Sequence, residues 1–185
     1  MPPSTSTTRS GRDVVAQPVA SRDHRFDMTR LDVSASIEIH RDHATVRRQF
    51  ADVAHHERSG VHRGVEFEVI ADDGNLCRYR QTTRLGPLRL HQELQLARTD
   101  EGPLVNTVLN GQFHGGTISF DIQPAPADDG CVHVHARLVT ELHGASKLAA
   151  PLLRRSIRRS LGRALAEDKR DLEQHGYGLV DGVPT

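Results

Sequence analysis

A single long run of helical periodicity, from about Lys147 to Gln174, constrains this chain more than any other stretch. Ala150, Ile157, Leu161, Ala164, Leu165 and Leu172 recur at three-, four- and seven-residue spacing, which is one stripe of an α-helix. Arg154, Arg155, Arg158, Arg159, Arg163, Lys169 and Arg170 flank that stripe and keep the other faces wet. Asp168 breaks the pattern. It stands seven residues after Leu161, three after Leu165 and four before Leu172, inside the apolar stripe. A carboxylate aimed at a core costs about 3–5 kcal/mol if left unpaired. Either a basic group or a metal meets Asp168, or the helix end is loose enough to leave it wet.

The rest of the chain reads as material for that helix to cover. Leu31–Ile39 alternates, with Val33, Ala35, Ile37 and Ile39 on one side. Asp42 is placed to N-cap a helix carrying Val46, Phe50 and Val53, and Ser59–Gly60 marks a break before a short second helical turn. Six strand-like runs follow: 65–71, 76–83, 88–98, 103–109, 117–122 and 131–142, each bounded by turn residues. Connectors of hairpin length imply an antiparallel meander, and its single apolar face needs one cover. The order strand, two short helices, six strands, long helix is an α+β domain over residues 31–178. Residues 1–30, rich in Ser, Thr, Pro and Arg without a period, read as a disordered tail, with Met28 as an alternative start; residues 179–185 read as a C-terminal tail.

Composition narrows the function. Lys+Arg and Asp+Glu both number 24 and aromatics are 4% of the chain, so neither global charge nor stacking rings favours nucleic acid. No apolar run reaches the roughly 20 residues of a membrane span, and no secretory h-region opens the chain. Cys77 and Cys131 then read as reduced thiols in a cytoplasm.

The element order, together with FADVAHHERSGVH at residues 50–62, resembles the START-like (SRPBCC) superfamily, also called the helix-grip fold. It is shared by pollen-allergen-like carriers, polyketide cyclases and ubiquinone-binding proteins. The resemblance implies a curved seven-stranded antiparallel sheet wrapped around the long C-terminal helix, with the two short helices closing one end of an apolar cavity. Trp and Pro are absent from the turn, and His55, His56 and His62 stand where relatives often carry aromatics. The same stretch is similar to the catalytic domain of Rieske oxygenases, which hold mononuclear iron through Asp-x2-His-x4-5-His and a later carboxylate. Asp52-x2-His55 leaves six residues before His62, and taking His56 leaves five at the cost of three after Asp52. No CxH…CxxH cluster is present.

These readings give a ranked expectation. The leading one is a protein that binds a hydrophobic or aromatic small molecule, without a cofactor, with polyketide-cyclase-like chemistry if it is an enzyme. His55, His56 and Asp168 are its candidate catalytic residues, a neutral imidazole near pH 7 being suited to move protons. The rival is an Fe(II) or Zn oxygenase or hydrolase using His55, His56, His62 and Asp168. A third is a partner-binding module acting through the arginine block. Tyr79, Gln81, Gln92 and Asn106 are the polar groups expected in the cavity, with His114 added because Gly111, Gly115 and Gly116 can bend the sheet there. Basic residues crowd the N-terminal half of the long helix, the wrong end for its macrodipole. Glu66, Glu68 and Glu93 on neighbouring strands are the expected compensation; the alternative is an anionic ligand group held by Arg154. Oligomeric state stays open.

Overall fold

The computed structural model describes residues 29–125, 130–177, 179–180 and 183–184. Eleven residues of β1 (Thr29–Ile39) lead into α1 (His43–Ala51) and α2 (Val53–Ser59). Then come β2 (Val65–Asp72), β3 (Leu76–Leu85), β4 (Leu88–Ala97), β5 (Leu104–Gly111), β6 (Thr117–Pro124), β7 (Val132–Leu142) and α3 (Ala150–Arg170). The strands form one antiparallel sheet in the order β1-β7-β6-β5-β4-β3-β2, so the meander closes by pairing its last strand with its first. The expected tail falls, up to residue 28, outside the described residues, and Thr29 and Arg30 are the first two residues of β1. Leu179–Val180 (β8) pairs with Val183–Pro184 (β9), a hairpin the sequence reading did not anticipate.

Alternation sets the core. Leu90, Leu94 and Leu96 of β4, Leu104 and Val108 of β5, and Val132, Val134, Ala136, Leu138 and Leu142 of β7 all point to one face and are buried there. α3 crosses that face and packs most densely on β1, burying Ile157, Leu165 and Asp168. The sheet curls at two irregular registers, Val69/Ala71 and Glu93/Leu94. At the second, Gly111 has φ +109 and its Cβ would stand 2.4 Å from the His91 carbonyl oxygen, so only glycine lets β5 close over Gln92. Among the described residues no helix is long and apolar enough to cross a membrane.

Two local expectations change. The break between the short helices lies at Asp52, not at Ser59–Gly60. Asp52 ends α1 and caps α2, its carboxylate accepting from the His55 backbone N–H at 2.8 Å. Gly60, at φ +58, is the left-handed C-cap that stops α2. The glutamates expected to neutralise α3 are also engaged elsewhere. Glu66 pairs with Arg84 at 3.5 Å, Glu68 with Arg80 at 3.0 Å, and Glu93 with Arg78, all within the sheet. Cross-strand neighbours are closer than the helix, so they win.

Candidate active site at the closed end of the cavity

His56 lies on the second turn of α2. Once Gly60 ends the helix, the chain doubles back and sets the His62 ring parallel to that of His56, centroids 5.1 Å apart and 5° between planes. Asp168 comes from the last turns of α3, between Leu165 and Leu172, and is 3% exposed. Its Oδ1 stands 3.2 Å from His56 Nε2 and 3.3 Å from His62 Nε2. One ligand atom from each of the three falls within 4.8 Å of the other two, and all three residues are buried. Phe67 tilts against both imidazoles at 5.7 Å.

The remote nitrogens define the protonation. His56 Nδ1 is 2.8 Å from the Asp52 carbonyl oxygen, which can only accept, so Nδ1 carries the hydrogen. Nε2 of a neutral His56 therefore holds a lone pair that faces Asp168. His62 Nδ1 makes no hydrogen bond but lies 3.4 Å from Glu167 Oε2. Burial disfavours the charged form of His56, yet its hydrogen bond and charge interaction with Asp168, helped by the Asp52 carbonyl, raise its pKa above the usual 6.5.

The three side chains form one pole of a cavity of about 140 Å³ between α3 and the sheet. Phe50, Phe113, Phe120, Leu138, Ile157 and Leu161 supply much of its apolar wall. Tyr79, Gln81, Gln92 and Asn106 all line it. Several of their polar atoms are already bonded within the protein: Tyr79 Oη donates to Asn106 Oδ1 at 2.8 Å, Gln81 Nε2 to Thr83 Oγ1 at 2.8 Å and Asn106 Nδ2 to the Ile118 carbonyl at 3.5 Å. Gln92 Nε2 is buried without a partner, leaving one free donor for a guest.

Other candidates lie elsewhere. His55 Nε2 meets Asp171 Oδ2 at 2.9 Å, with the Tyr177 ring edge-on at 5.0 Å, and it does not line the cavity. His114 is exposed; the bend at Gly111–Gly116 turns Phe113 inward instead. Arg154 is exposed too and stays outside the cavity. Sequence reasoning missed Phe113, Thr83 and Glu167, and it missed the pairing of Asp171 with His55. Carboxylates three apart on one helix, facing adjacent histidines, were the available signal for that pairing.

No family model and no curated protein matches the sequence. Solved structures do match. A START superfamily protein from Mycobacterium smegmatis superposes with a TM-score of 0.66 at 14% identity, over 78% of this chain and 98% of its own. The ZhuI aromatase/cyclase from Streptomyces sp. R1128 gives 0.63 at 10%, over 80% and 99%. Truncated norcoclaurine synthase from Thalictrum flavum gives 0.62 at 10%, over 80% and 96%. This chain has the START-like, helix-grip fold. Within that fold the long helix is the gripped element. Its burial of Asp168 opposite α2 is what assembles the polar pole of this START-like domain.

Proposed function

We propose that this START-like protein binds a small, mostly apolar molecule in the internal cavity and presents a polar group of it to His56, His62 and Asp168 for proton transfer. The observation that carries this reading is the contrast within the cavity. Its wall is apolar and several of its other polar atoms are already bonded within the protein, while His56 Nε2 and Asp168 converge on it with the His56 tautomer already set. In the neutral form Nε2 takes a proton from the guest, and Asp168 stabilises the imidazolium that results. The solved neighbours named aromatase/cyclase and norcoclaurine synthase support such chemistry by analogy of fold. A volume near 140 Å³ suits about one aromatic ring, since an engineered cavity of about 150 Å³ takes up benzene. Larger guests need the domain to open. Isothermal titration with phenol, a one-ring guest with an ionisable hydroxyl, tests the reading. The wild type should show saturable binding, and Ala164→Phe, which puts a ring into the cavity wall, should lose it while keeping the wild-type circular dichroism. Equal binding by both proteins contradicts cavity binding.

A second reading, that the same three residues hold a divalent metal, has its own support. Charge-assisted hydrogen bonds are typically about 2.7–2.9 Å. Here both imidazole–carboxylate distances are longer, 3.2 and 3.3 Å. Ligand atoms about 2.1 Å from one metal are separated by about 3.0 Å at right angles and about 3.4 Å at the tetrahedral angle, which brackets both values. His56 also turns its far nitrogen to an acceptor, the Asp52 carbonyl, as metal-bound imidazoles do. The donor set suits Fe(II) or Zn, which would supply a Lewis acid beside the guest. Cobalt(II) titration of protein purified without a His-tag separates the readings. One equivalent with a visible d–d spectrum, lost in His62→Ala, supports the metal; no uptake leaves the proton-transfer reading alone.

A further inference from the structure

We infer that the outward face of α3 is a docking surface for anionic phospholipid membranes. This rests on surface charge and exposure and is independent of what fills the cavity. At 100° per residue, Leu152, Arg155, Arg159 and Arg163 share an arc of about 80°, and Leu148 stands in the turn just before the helix. That arc is opposite Ile157, Leu161 and Asp168. Leu148 is 90% exposed and Leu152 75%, the two most exposed of the large hydrophobic side chains among the described residues. Arg154, Arg155, Arg158, Arg159 and Arg163 are all exposed.

Among the described residues this block is only lightly neutralised: the charge of Asp32 on β1 reaches Arg154, and Asp32 is itself bonded to Arg137. Arg155, Arg158, Arg159 and Arg163 make no hydrogen bond or ion pair there, and the sheet glutamates are held by Arg84, Arg80 and Arg78. No acidic side chain occupies positions 150–166. Those that follow turn inward or sideways: Glu167 to the Arg63 backbone N–H, Asp168 to the histidines, Asp171 to His55 and Glu173 to the His40 N–H. The first turn of α3 has no side-chain cap and contains no acidic residue, so the positive end of the helix dipole adds to the arginines. A molecule of formal net charge zero thus concentrates unpaired positive charge on one helix.

The exposed leucines decide between anionic partners. On a bilayer, leucines enter below the headgroups while arginines reach back to the phosphates. A nucleic acid offers no place for two exposed leucines, and the face carries no aromatic ring for bases to stack on.

Co-sedimentation of the full chain with vesicles tests the assignment. One set is phosphatidylcholine alone and the other contains about 30% phosphatidylglycerol, each at about 0.05 M and 0.5 M salt. Binding should favour the anionic vesicles by at least about tenfold at low salt and largely vanish at high salt. The double variant Arg155→Glu/Arg159→Glu should lose at least about tenfold, and Leu148→Ser/Leu152→Ser several-fold, both with the wild-type melting temperature. Equal binding to neutral vesicles, or undiminished binding by the charge-reversed protein, overturns the proposal. So does binding to a duplex DNA oligonucleotide at a salt concentration where anionic vesicles are not bound.

Discussion

His55 and His56 are consecutive residues on the same short helix, and each meets a carboxylate from the end of the long one. His55 meets Asp171 at 2.9 Å, a normal charge-assisted distance, and Tyr177 closes the site edge-on while its hydroxyl donates to Asp52 Oδ2 at 2.9 Å. His56 meets Asp168 at 3.2 Å and shares that oxygen with His62, whose Nε2 is 3.3 Å away. The first arrangement is saturated and outside the cavity. The second is under-bonded, more deeply buried and faces apolar space. A carboxylate–imidazole contact alone therefore says little about chemistry. What distinguishes the two sites is whether the groups have spent their bonding capacity on one another.

The largest effect expected is from Asp168→Asn. Cobalt(II) uptake and the response to phenol should both be lost, and stability near pH 6 should fall by more than about 1 kcal/mol, because the change strands His56 and His62. Retained uptake and response in a folded Asp168→Asn protein would remove the distinction drawn here. Next, His56→Ala should weaken cobalt(II) or probe binding by at least about 100-fold, whereas His55→Ala should stay within about threefold, measured by the same titrations.

The pH dependence is a smaller effect and its sign follows from His56. Its folded pKa is raised above 6.5, so the folded state holds a proton that the unfolded chain gives up. The stabilisation is complete below about pH 6.5 and fades as pH rises through the folded pKa. Denaturant melts should show the gap between wild type and Asp168→Asn narrowing from pH 6 to pH 9; a constant gap means that His56 is not charged in the pair. Smallest is the effect of Asp171→Asn on the probe titrations: the pair, with side chains only 13% and 14% exposed, lies outside the cavity, so probe binding should be unchanged.

Much of this was legible because it was periodic. The apolar stripe of α3 singled out Asp168 while leaving open whether it is paired or wet, and strand alternation put Tyr79, Gln81, Gln92 and Asn106 on the cavity face. Leu161 shows the limit of such phasing. It sits mid-stripe yet is only half-buried, because the cavity and not a packed side chain lies against it. His114 against Phe113 shows another: inside an irregular turn neither period applies, so which neighbour faces inward depends on backbone geometry. Choosing His56 over His55 needed the Asp52 cap and the Gly60 reversal, which together set the direction of each ring. The arginine partners failed for a different reason. Opposite charges were present on neighbouring strands, but the sheet offered them nearer partners.

Nitrogen-15 NMR of histidine-labelled protein tests most directly the claim that His56, and not His55, belongs to the reactive pole. His56 should appear as the Nδ1–H form when neutral, titrate above 6.5, and shift together with His62 when phenol or cobalt(II) is added, while His55 stays in place. Movement of His55 with the guest while His56 and His62 remain unchanged would contradict the account.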